Sequence, residues 1–252
     1  MLTFKEVTVQ FAGLTAVNKL SIEVPEGKIF SLIGPNGAGK TTVFNTISRF
    51  YNPTNGLVEF KGINLLQYKP HQVIKQGISR SFQNVELFAE MTVLDNLLTG
   101  LHPNLKMNIF SIAFNLASVR KSEKDSIKKA YEVMELLGIL DLAYEKVKNL
   151  SFGFQKMVDI GRAIMPNPRL ILLDEPVAGM NPVESERISQ LILRLKTELN
   201  YTVLVIEHDM SLVMKVSDFV TVMNFGQKIA EGLPREIQND PIVIEAYLGG
   251  EK

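Results

Sequence analysis

A glycine-rich loop near the N-terminus constrains the fold of this 252-residue chain more than any other feature. The loop, GPNGAGKTT at 34–42, follows the short apolar run KIFSLIG at 28–34 and precedes a helix-like segment, Lys40–Phe50. A short apolar run of this kind is typical of a buried parallel strand. The order of strand, glycine loop and helix therefore predicts an α/β fold in which the loop joins the strand to the helix.

The loop also carries a specific chemistry, because it matches the P-loop pattern in full and in the context that the pattern requires. Its glycines let backbone N–H groups converge on phosphate oxygens, and the helix N-terminus adds its positive end. Lys40 is expected to reach the β- and γ-phosphates, and Thr41 to offer its hydroxyl to Mg²⁺. We therefore predict binding of a nucleotide's phosphates with Mg²⁺, the alternative being a chance glycine turn. The predicted nucleotide-binding residues of the loop are Gly34, Pro35, Asn36, Gly37, Ala38, Gly39, Lys40, Thr41 and Thr42.

Two adjacent acids follow a second apolar run, in RLILLDEP at 169–176. Asp174 stands where a P-loop protein needs a carboxylate for the metal ion or its water. Glu175 can act as a general base that polarises the water attacking the γ-phosphate. The pair indicates hydrolysis, the alternative being a solvated acidic pair at a strand end.

The rest of the chain separates into strand-rich and helical parts. Alternating apolar residues predict a β-rich start, strand signals vanish between about Leu87 and Met165, and the α/β alternation resumes afterwards. The long helix after the acid pair has a marked start, with Asn181 suited to the N-cap and Pro182 and Glu184 to the first turn. We predict a nucleotide-binding core with an antiparallel β-subdomain at 1–86 and 166–233, an inserted helical subdomain at 87–165 and a helical tail at 234–252.

Composition and charge exclude several classes of protein. The hydrophobic share of 46% excludes disorder, and the equal counts of 27 basic and 27 acidic residues leave no net field for a nucleic-acid partner. The absence of cysteine excludes disulfides, thiolate catalysis and cysteine-zinc sites. The N-terminus lacks the features of a signal peptide, and the longest uncharged apolar stretch, Met107–Val119, is shorter than the roughly 20 residues that span a bilayer. We expect neither export nor a membrane crossing.

Three further features complete a recognisable order of motifs. Gln83 follows the P-loop, the segment LSFGFQK occupies 150–156, and His208 comes after a later strand. This order resembles the ATP-binding subunits of ABC transporters over nearly the whole chain. The resemblance implies a P-loop ATPase with a RecA-like core that drives separate membrane subunits. It also implies that Gln83 contacts the Mg²⁺ site and couples it to a membrane subunit, that His208 holds the γ-phosphate and water, and that Phe11 stacks on adenine. Considered singly, His208 is explained as a structural or surface histidine, and Phe11 as a core residue.

The segment at 150–156 departs from the family signature LSGGQ. Ser151 and Gly153 keep the pattern, whereas Phe152 and Phe154 replace a glycine and a glutamine, and packing under the helix would explain both. In the family this segment acts on ATP held by the P-loop of a partner subunit, so the resemblance implies a dimer with the same or a homologous chain. Asn181 stands where the broader family usually has an aspartate.

Several segments resemble one subgroup, the ATPases of branched-chain amino acid importers. They are AGMNP at 178–182, the helical insertion at 104–129, SLVMKVSD at 211–218 and the ending PIVIEAYLG at 241–249. ATPases of urea importers and of lipopolysaccharide export share parts of this ending and stay open as alternatives. The resemblance implies a peripheral subunit on the cytoplasmic face of the membrane, with permease subunits and, indirectly, a substrate-binding protein as partners.

An apolar set beside Gln83 predicts either a groove for a helix of the membrane partner or ordinary core packing. Its members are Phe82, Val85, Leu87, Phe88 and Met91. Two other classes of protein are alternatives. A non-transport ABC ATPase acting on DNA or the ribosome would show coiled coils, two cassettes or a basic face. A small-molecule P-loop kinase would lack both Glu175 and the signature segment.

Overall fold

The computed structural model describes residues 1–82, 85–101 and 117–248. The strands are β1 (Leu2–Phe11), β2 (Leu14–Val24), β3 (Ile29–Ile33), β4 (Asn55–Phe60), β5 (Ile63–Asn64), β6 (Ile78–Ser81), β7 (Leu170–Asp174), β8 (Thr202–Ile206), β9 (Phe219–Asn224) and β10 (Gln227–Gly232). The α-helices are α1 (Lys40–Ile47), α2 (Pro70–Val73), α3 (Val93–Thr99), α4 (Ala117–Leu137), α5 (Phe152–Ile164), α6 (Pro182–Thr197), α7 (Met210–Val216), α8 (Pro234–Gln238) and α9 (Pro241–Leu248).

A small antiparallel sheet in the order β2-β1-β4-β5 forms the N-terminal part. In β1 the side chains of Phe4, Val7 and Val9 are all buried, although the spacing of Phe4 and Val7 does not follow strict alternation. An irregularity in the pairing of β1 with β2 lies between these two residues, and an extra residue of this kind shifts the strand by one face. The predicted antiparallel N-terminal sheet is confirmed.

A second sheet forms the centre of the molecule, in the order β10-β9-β3-β8-β7-β6. Its pairs are parallel except for the edge strand β10, which runs antiparallel to β9. Every residue of β3, β7 and β8 is buried, as their short apolar runs predict for strands covered on both faces. The carboxyl ends of parallel strands meet at one edge of a sheet, so the P-loop after β3 lies beside the acids that follow β7 and β8.

The helical part between β6 and β7 contains α3, α4 and α5, which share a core with α6. Apolar residues recur at helical spacing in α4, where Ala130, Val133, Met134 and Leu137 are buried. The apolar stretch predicted at Met107–Val119 lies largely outside the described residues. Across the three described ranges, no helix combines the length and apolarity needed to cross a bilayer. The division of the chain at 87, 166 and 234 stays a prediction.

The sequence did not predict two of the strands, β6 and β10, for different reasons. The sequence of β6, ISRS, has no apolar alternation, because its buried faces carry the serines Ser79 and Ser81. The edge strand β10 is largely exposed and polar. The predicted helix Lys40–Phe50 is shorter than expected, since α1 ends at Ile47.

Candidate active site

The backbone of the P-loop requires glycine at two positions because of close approach by other segments. Gly34 has φ 149°, and a Cβ there would lie 2.1 Å from the carbonyl oxygen of Met223. Gly39 has φ 101°, and a Cβ there would lie 2.4 Å from the carbonyl oxygen of Ala16. Both conformations are unfavourable for other residues. The short distances show that β9 and the start of β2 pack directly against the backbone of the loop.

Lys40 is buried at the start of α1, with its side chain folded back along the loop. Its Nζ donates to the carbonyl oxygen of Gly34 at 2.6 Å and to that of Pro35 at 2.9 Å. Burial lowers the pKa of Lys40, and the carboxylates of Glu175, Asp174 and Glu207 oppose that shift. The amino group therefore lies among acids at the edge of the central sheet, where a phosphate would add negative charge.

Asp174 ends β7 with its carboxylate buried and paired. Oδ2 accepts a hydrogen bond from Nη2 of Arg80 at 2.7 Å. Arg80 also donates from Nη1 to Oδ1 of Asn45 on α1, at 2.8 Å. The guanidinium lies over the rings of Phe44 and Phe82, at 5.4 and 5.1 Å from their centroids. Asp174 is thus connected to the helix that begins in the P-loop.

Glu175 follows Asp174 and adopts a positive φ of 44°. Its backbone N–H donates to the carbonyl oxygen of Ile206 at 2.9 Å, which continues the pairing of β7 with β8. Oε1 of Glu175 lies 3.9 Å from Nδ1 of His208, whose side chain is largely exposed. The structure therefore brings together the predicted general base and the predicted phosphate-sensing histidine.

A cavity of about 320 Å³ lies over the P-loop. Glu175 lines it together with the loop residues Asn36, Gly37, Ala38, Gly39, Lys40, Thr41 and Thr42. The wall opposite is formed by the start of β2 and by the turn between β9 and β10, through Leu14, Thr15, Ala16, Phe225 and Gly226. A cleft of this size with convergent polar groups is typical of a small-molecule site.

Other predicted site residues lie outside this cavity in the described part of the chain. Phe11 is 40% exposed and packs edgewise against Tyr51, with ring centroids 4.9 Å apart. Ser151 and Gly153 begin α5 on a different surface, where Oγ of Ser151 donates to Oε1 of Glu184 at 3.0 Å. Gln83 lies outside the described residues.

The signature phenylalanines have different environments. Phe152 is 45% exposed, whereas Phe154 packs partly against the core and carries the guanidinium of Arg187 over its ring at 5.5 Å. Packing under the helix therefore accounts for Phe154 and not for Phe152.

The residues available for a magnesium ion are few, which suits this metal. The described residues contain no group of three or more histidine or acidic side chains that could hold a metal ion by themselves. Mg²⁺ usually keeps several waters and binds through one or two protein oxygens together with substrate phosphates. The exposed hydroxyl of Thr41 and the carboxylate of Asp174 fit that requirement.

Comparison with known families identifies the family to which the chain belongs. Residues 17–178 match the family model described as ABC transporter. The chain belongs to the ABC transporter family. A model described as branched-chain amino acid ATP-binding cassette transporter also matches residues 227–252. The fold expected from the resemblance is confirmed, and the protein is an ATP-hydrolysing subunit of the ABC type.

Relatives of this ABC ATPase match along nearly its full length. The high-affinity branched-chain amino acid transport ATP-binding protein BraF of Pseudomonas aeruginosa is 43% identical over 96% of this chain and 95% of that protein. LivG of Salmonella typhimurium, which carries the same description, is 43% identical over 99% of this chain and 98% of that protein.

Solved structures of ATP-binding cassettes share the fold. The ADP conformation of one cassette of an ABC transporter has a TM-score of 0.87 at 35% identity, and covers 99% of this chain and 98% of that one. The dimeric structure of a bacterial ABC transporter cassette has a TM-score of 0.78 at 26% identity, and covers 93% of this chain and 99% of that one.

The sequence analysis of this ABC ATPase missed three buried polar residues around the site. Arg80 pairs with Asp174, and Lys156 on α5 donates from Nζ to the carbonyl oxygen of Phe82 at 2.7 Å. Burial lowers the pKa of Lys156. Glu207 follows β8 and is fully buried, which raises the pKa of its carboxyl group. For Glu207 the available signal was an acid directly after the apolar strand β8, whereas Arg80 lies in a strand without apolar alternation and carried no such signal.

Proposed function

We propose that this chain energises the import of branched-chain amino acids through separate membrane subunits. The observation that carries the proposal is the 43% identity, along nearly the whole chain, with ATP-binding proteins of branched-chain amino acid transport. A second observation supports the same substrate class. Residues 227–252, at the C-terminal end of the chain, match a family model that is described by branched-chain amino acid transport.

The proposed roles of the site residues start from the P-loop and from the acids at the carboxyl end of β7. Lys40 and the backbone N–H groups of the loop bind the phosphates of ATP, and Thr41, Asp174 and Gln83 would hold Mg²⁺. The metal, when bound, supplies positive charge that stabilises the charge developing on the transferred phosphoryl group. Glu175 accepts the proton of the attacking water as general base. His208, 3.9 Å from Glu175, holds the γ-phosphate and the water.

We propose a dimer as the working unit, with the same or a homologous chain. Ser151 and Gly153 begin α5, where helix N–H groups can face a phosphate, but they do not line the cavity in their own chain. They can act only on ATP held elsewhere, which fits the sandwich expected from the family. The solved cassette described as dimeric supports this arrangement.

We place the dimer at the cytoplasmic face of the membrane, bound to permease subunits. A substrate-binding protein delivers the substrate to those permeases and is only an indirect partner of this chain. The surface around Phe88 is the proposed contact, because Phe88 is 55% exposed while Leu87 packs on the core. Closure of the dimer on ATP and its reopening after hydrolysis would move the permeases, driven by the different affinities of the two states for ATP and ADP.

The molar mass of purified Glu175→Gln protein with and without Mg-ATP tests the ATPase part of the proposal. Blocking hydrolysis should trap the closed state, so a doubled mass with ATP supports a dimer of identical chains. A monomer that still binds ATP indicates a different partner ATPase, and failure to bind ATP contradicts the proposed site. Uptake of labelled leucine, in cells that carry either the wild-type chain or Glu175→Gln, tests the substrate. Normal leucine uptake with impaired urea uptake would contradict branched-chain import.

A further inference from the structure

We propose that Glu207 is a positioning residue for ATP hydrolysis, because it joins the backbone segment after Glu175 to the segment that carries His208. The proposal rests on the roles of Glu175 and His208 given above. Glu207 does not line the P-loop cavity, and its side chain is fully buried. Its effect would therefore pass through the two loops that it holds.

Strand pairing ends just before these two loops. Asp174 of β7 pairs with Ile206 of β8, and the N–H of Glu175 makes the last ladder bond to Ile206. The Glu207 carboxylate continues the connection beyond the strand ends. Oε1 accepts from the N–H of Val177 at 3.2 Å, two residues after Glu175. Oε2 accepts from the N–H of His208 at 2.9 Å and from that of Asp209 at 3.1 Å.

The chemistry of this bridge requires a carboxylate. All three contacts are backbone donors, and both oxygens of an ionised carboxyl group can accept. A glutamine offers one accepting oxygen and one NH₂ group, so an N–H of one loop would face an N–H of the side chain. An amide at this position can satisfy one loop but not both.

The loop that carries His208 is fixed from its other side as well. Oδ1 of Asp209 accepts from the N–H of Ser211 at 2.8 Å and caps α7. Glu207 and Asp209 therefore hold the backbone on both sides of His208, whereas the imidazole of His208 is largely exposed. Nδ1 of His208 lies 3.8 Å from Oε2 of Glu207 and 3.9 Å from Oε1 of Glu175, so a shift of this loop would change its distance to the general base.

The test compares Glu207→Gln with the wild type for ATP hydrolysis, ATP binding and thermal unfolding. The assay uses the full chain, assembled with its membrane subunits where the isolated chain turns over slowly. A misplacement of about 1 Å in a catalytic group costs on the order of 100-fold in rate, so we expect kcat to fall about 10- to 100-fold. Glu207→Gln also removes a negative charge near Lys40, so the Kd for ATP is measured in parallel. We expect the Kd to change less than kcat, because Glu207 does not line the P-loop cavity and its hydrogen bonds go to Val177, His208 and Asp209.

Tyr201→Phe is the matched control for loss of a buried hydrogen bond. Its hydroxyl donates to Oδ1 of Asn167 at 2.8 Å, and Tyr201 lies outside the P-loop cavity. It should lower thermal stability without lowering kcat. If Glu207→Gln does not fold, Glu207→Asp replaces it in the test. Aspartate keeps the charge but is one methylene shorter, so kcat should fall, by less than the fall expected for Glu207→Gln.

A double-mutant cycle with His208→Ala separates positioning from a general structural role. If Glu207 acts partly through His208, the loss caused by Glu207→Gln should shrink severalfold in the His208→Ala background. An unchanged kcat in a folded Glu207→Gln protein, or losses that multiply independently, would overturn the proposal. Full activity of Glu175→Gln or His208→Ala would instead overturn the proposed function.

Discussion

Arg80 and Asp174 form a buried ion pair that links β6 to β7, with Nη2 of Arg80 donating to Oδ2 of Asp174 at 2.7 Å. Only 10% of the Arg80 side chain and 2% of the Asp174 side chain are exposed. Arg80 also holds Asn45 on the P-loop helix, so one guanidinium orients the proposed metal-binding carboxylate relative to the P-loop.

Removing Arg80 should leave that carboxylate buried without its cation. We expect Arg80→Met to lower the free energy of unfolding by about 3–5 kcal/mol, the usual cost of breaking a buried pair from one side. Urea unfolding measures this value. The double variant Arg80→Met, Asp174→Asn should recover part of the loss, and a cost below about 1 kcal/mol for Arg80→Met would contradict the interpretation.

Two serines on β6 allow the contribution of a buried hydrogen bond to stability to be measured by comparison. Oγ of Ser81 donates to Oδ2 of Asp159 at 2.6 Å, whereas Oγ of Ser79 has no partner among the described residues. Ser81→Ala should cost about 1–3 kcal/mol, because it leaves a buried carboxylate oxygen unsatisfied. Ser79→Ala should be neutral or stabilising. Equal costs in chemical denaturation would show that strand packing, and not the hydrogen bond, determines stability here.

Asn181 caps α6, which explains why an amide can stand where the broader family has an acid. Its Oδ1 accepts from the N–H groups of Val183 and Glu184, both at 3.0 Å. Asparagine and aspartate are equally good N-caps, so Asn181→Asp should change the free energy of unfolding by less than about 0.5 kcal/mol. Asn181→Ala should cost about 1 kcal/mol. A large loss in Asn181→Asp would mean that the amide N–H₂ has a role of its own.

The turn between β9 and β10 contains a residue that the local backbone does not favour. Phe225 and Gly226 have φ 44° and 78°, and Phe225 is 85% exposed. Asn-Gly is the preferred pair for a two-residue hairpin turn with both φ values positive. Phe225→Asn should therefore raise the free energy of unfolding by about 1 kcal/mol. A loss of stability would indicate that the ring makes a contact more favourable than the strain it causes.

The proposed adenine contact of Phe11 can be measured directly. Stacking of a base on an aromatic side chain contributes about 1–3 kcal/mol, so Phe11→Ala should weaken ATP binding by about 5- to 150-fold. Tyr51→Ala is the control, since it removes the neighbouring ring against which Phe11 packs. Titration of a fluorescent ATP analogue reports both affinities. If Phe11→Ala does not weaken binding, the stacking role predicted for Phe11 is wrong.

Sequence alone was sufficient wherever the deciding interactions lie within a few residues. The P-loop follows from the closely spaced Gly34, Gly37 and Gly39 between an apolar strand and a helix. The start of α6 is another example, because Asn181 is the predicted N-cap and pairs with Glu184 of the first turn in a capping box. Backbone conformation and helix caps depend on neighbours in the chain, which the sequence displays directly.

The tertiary structure decided which distant residues support those motifs. Ninety-four positions separate Arg80 from Asp174, and thirty separate Val177 from Glu207, so no local pattern relates them. It also showed that Ser151 and Gly153 lie away from the P-loop cavity of their own chain. Such contacts arise because parallel strands that are far apart in sequence become neighbours and deliver their carboxyl ends to one edge. The identity of a residue does not reveal this pairing until the sheet order is known.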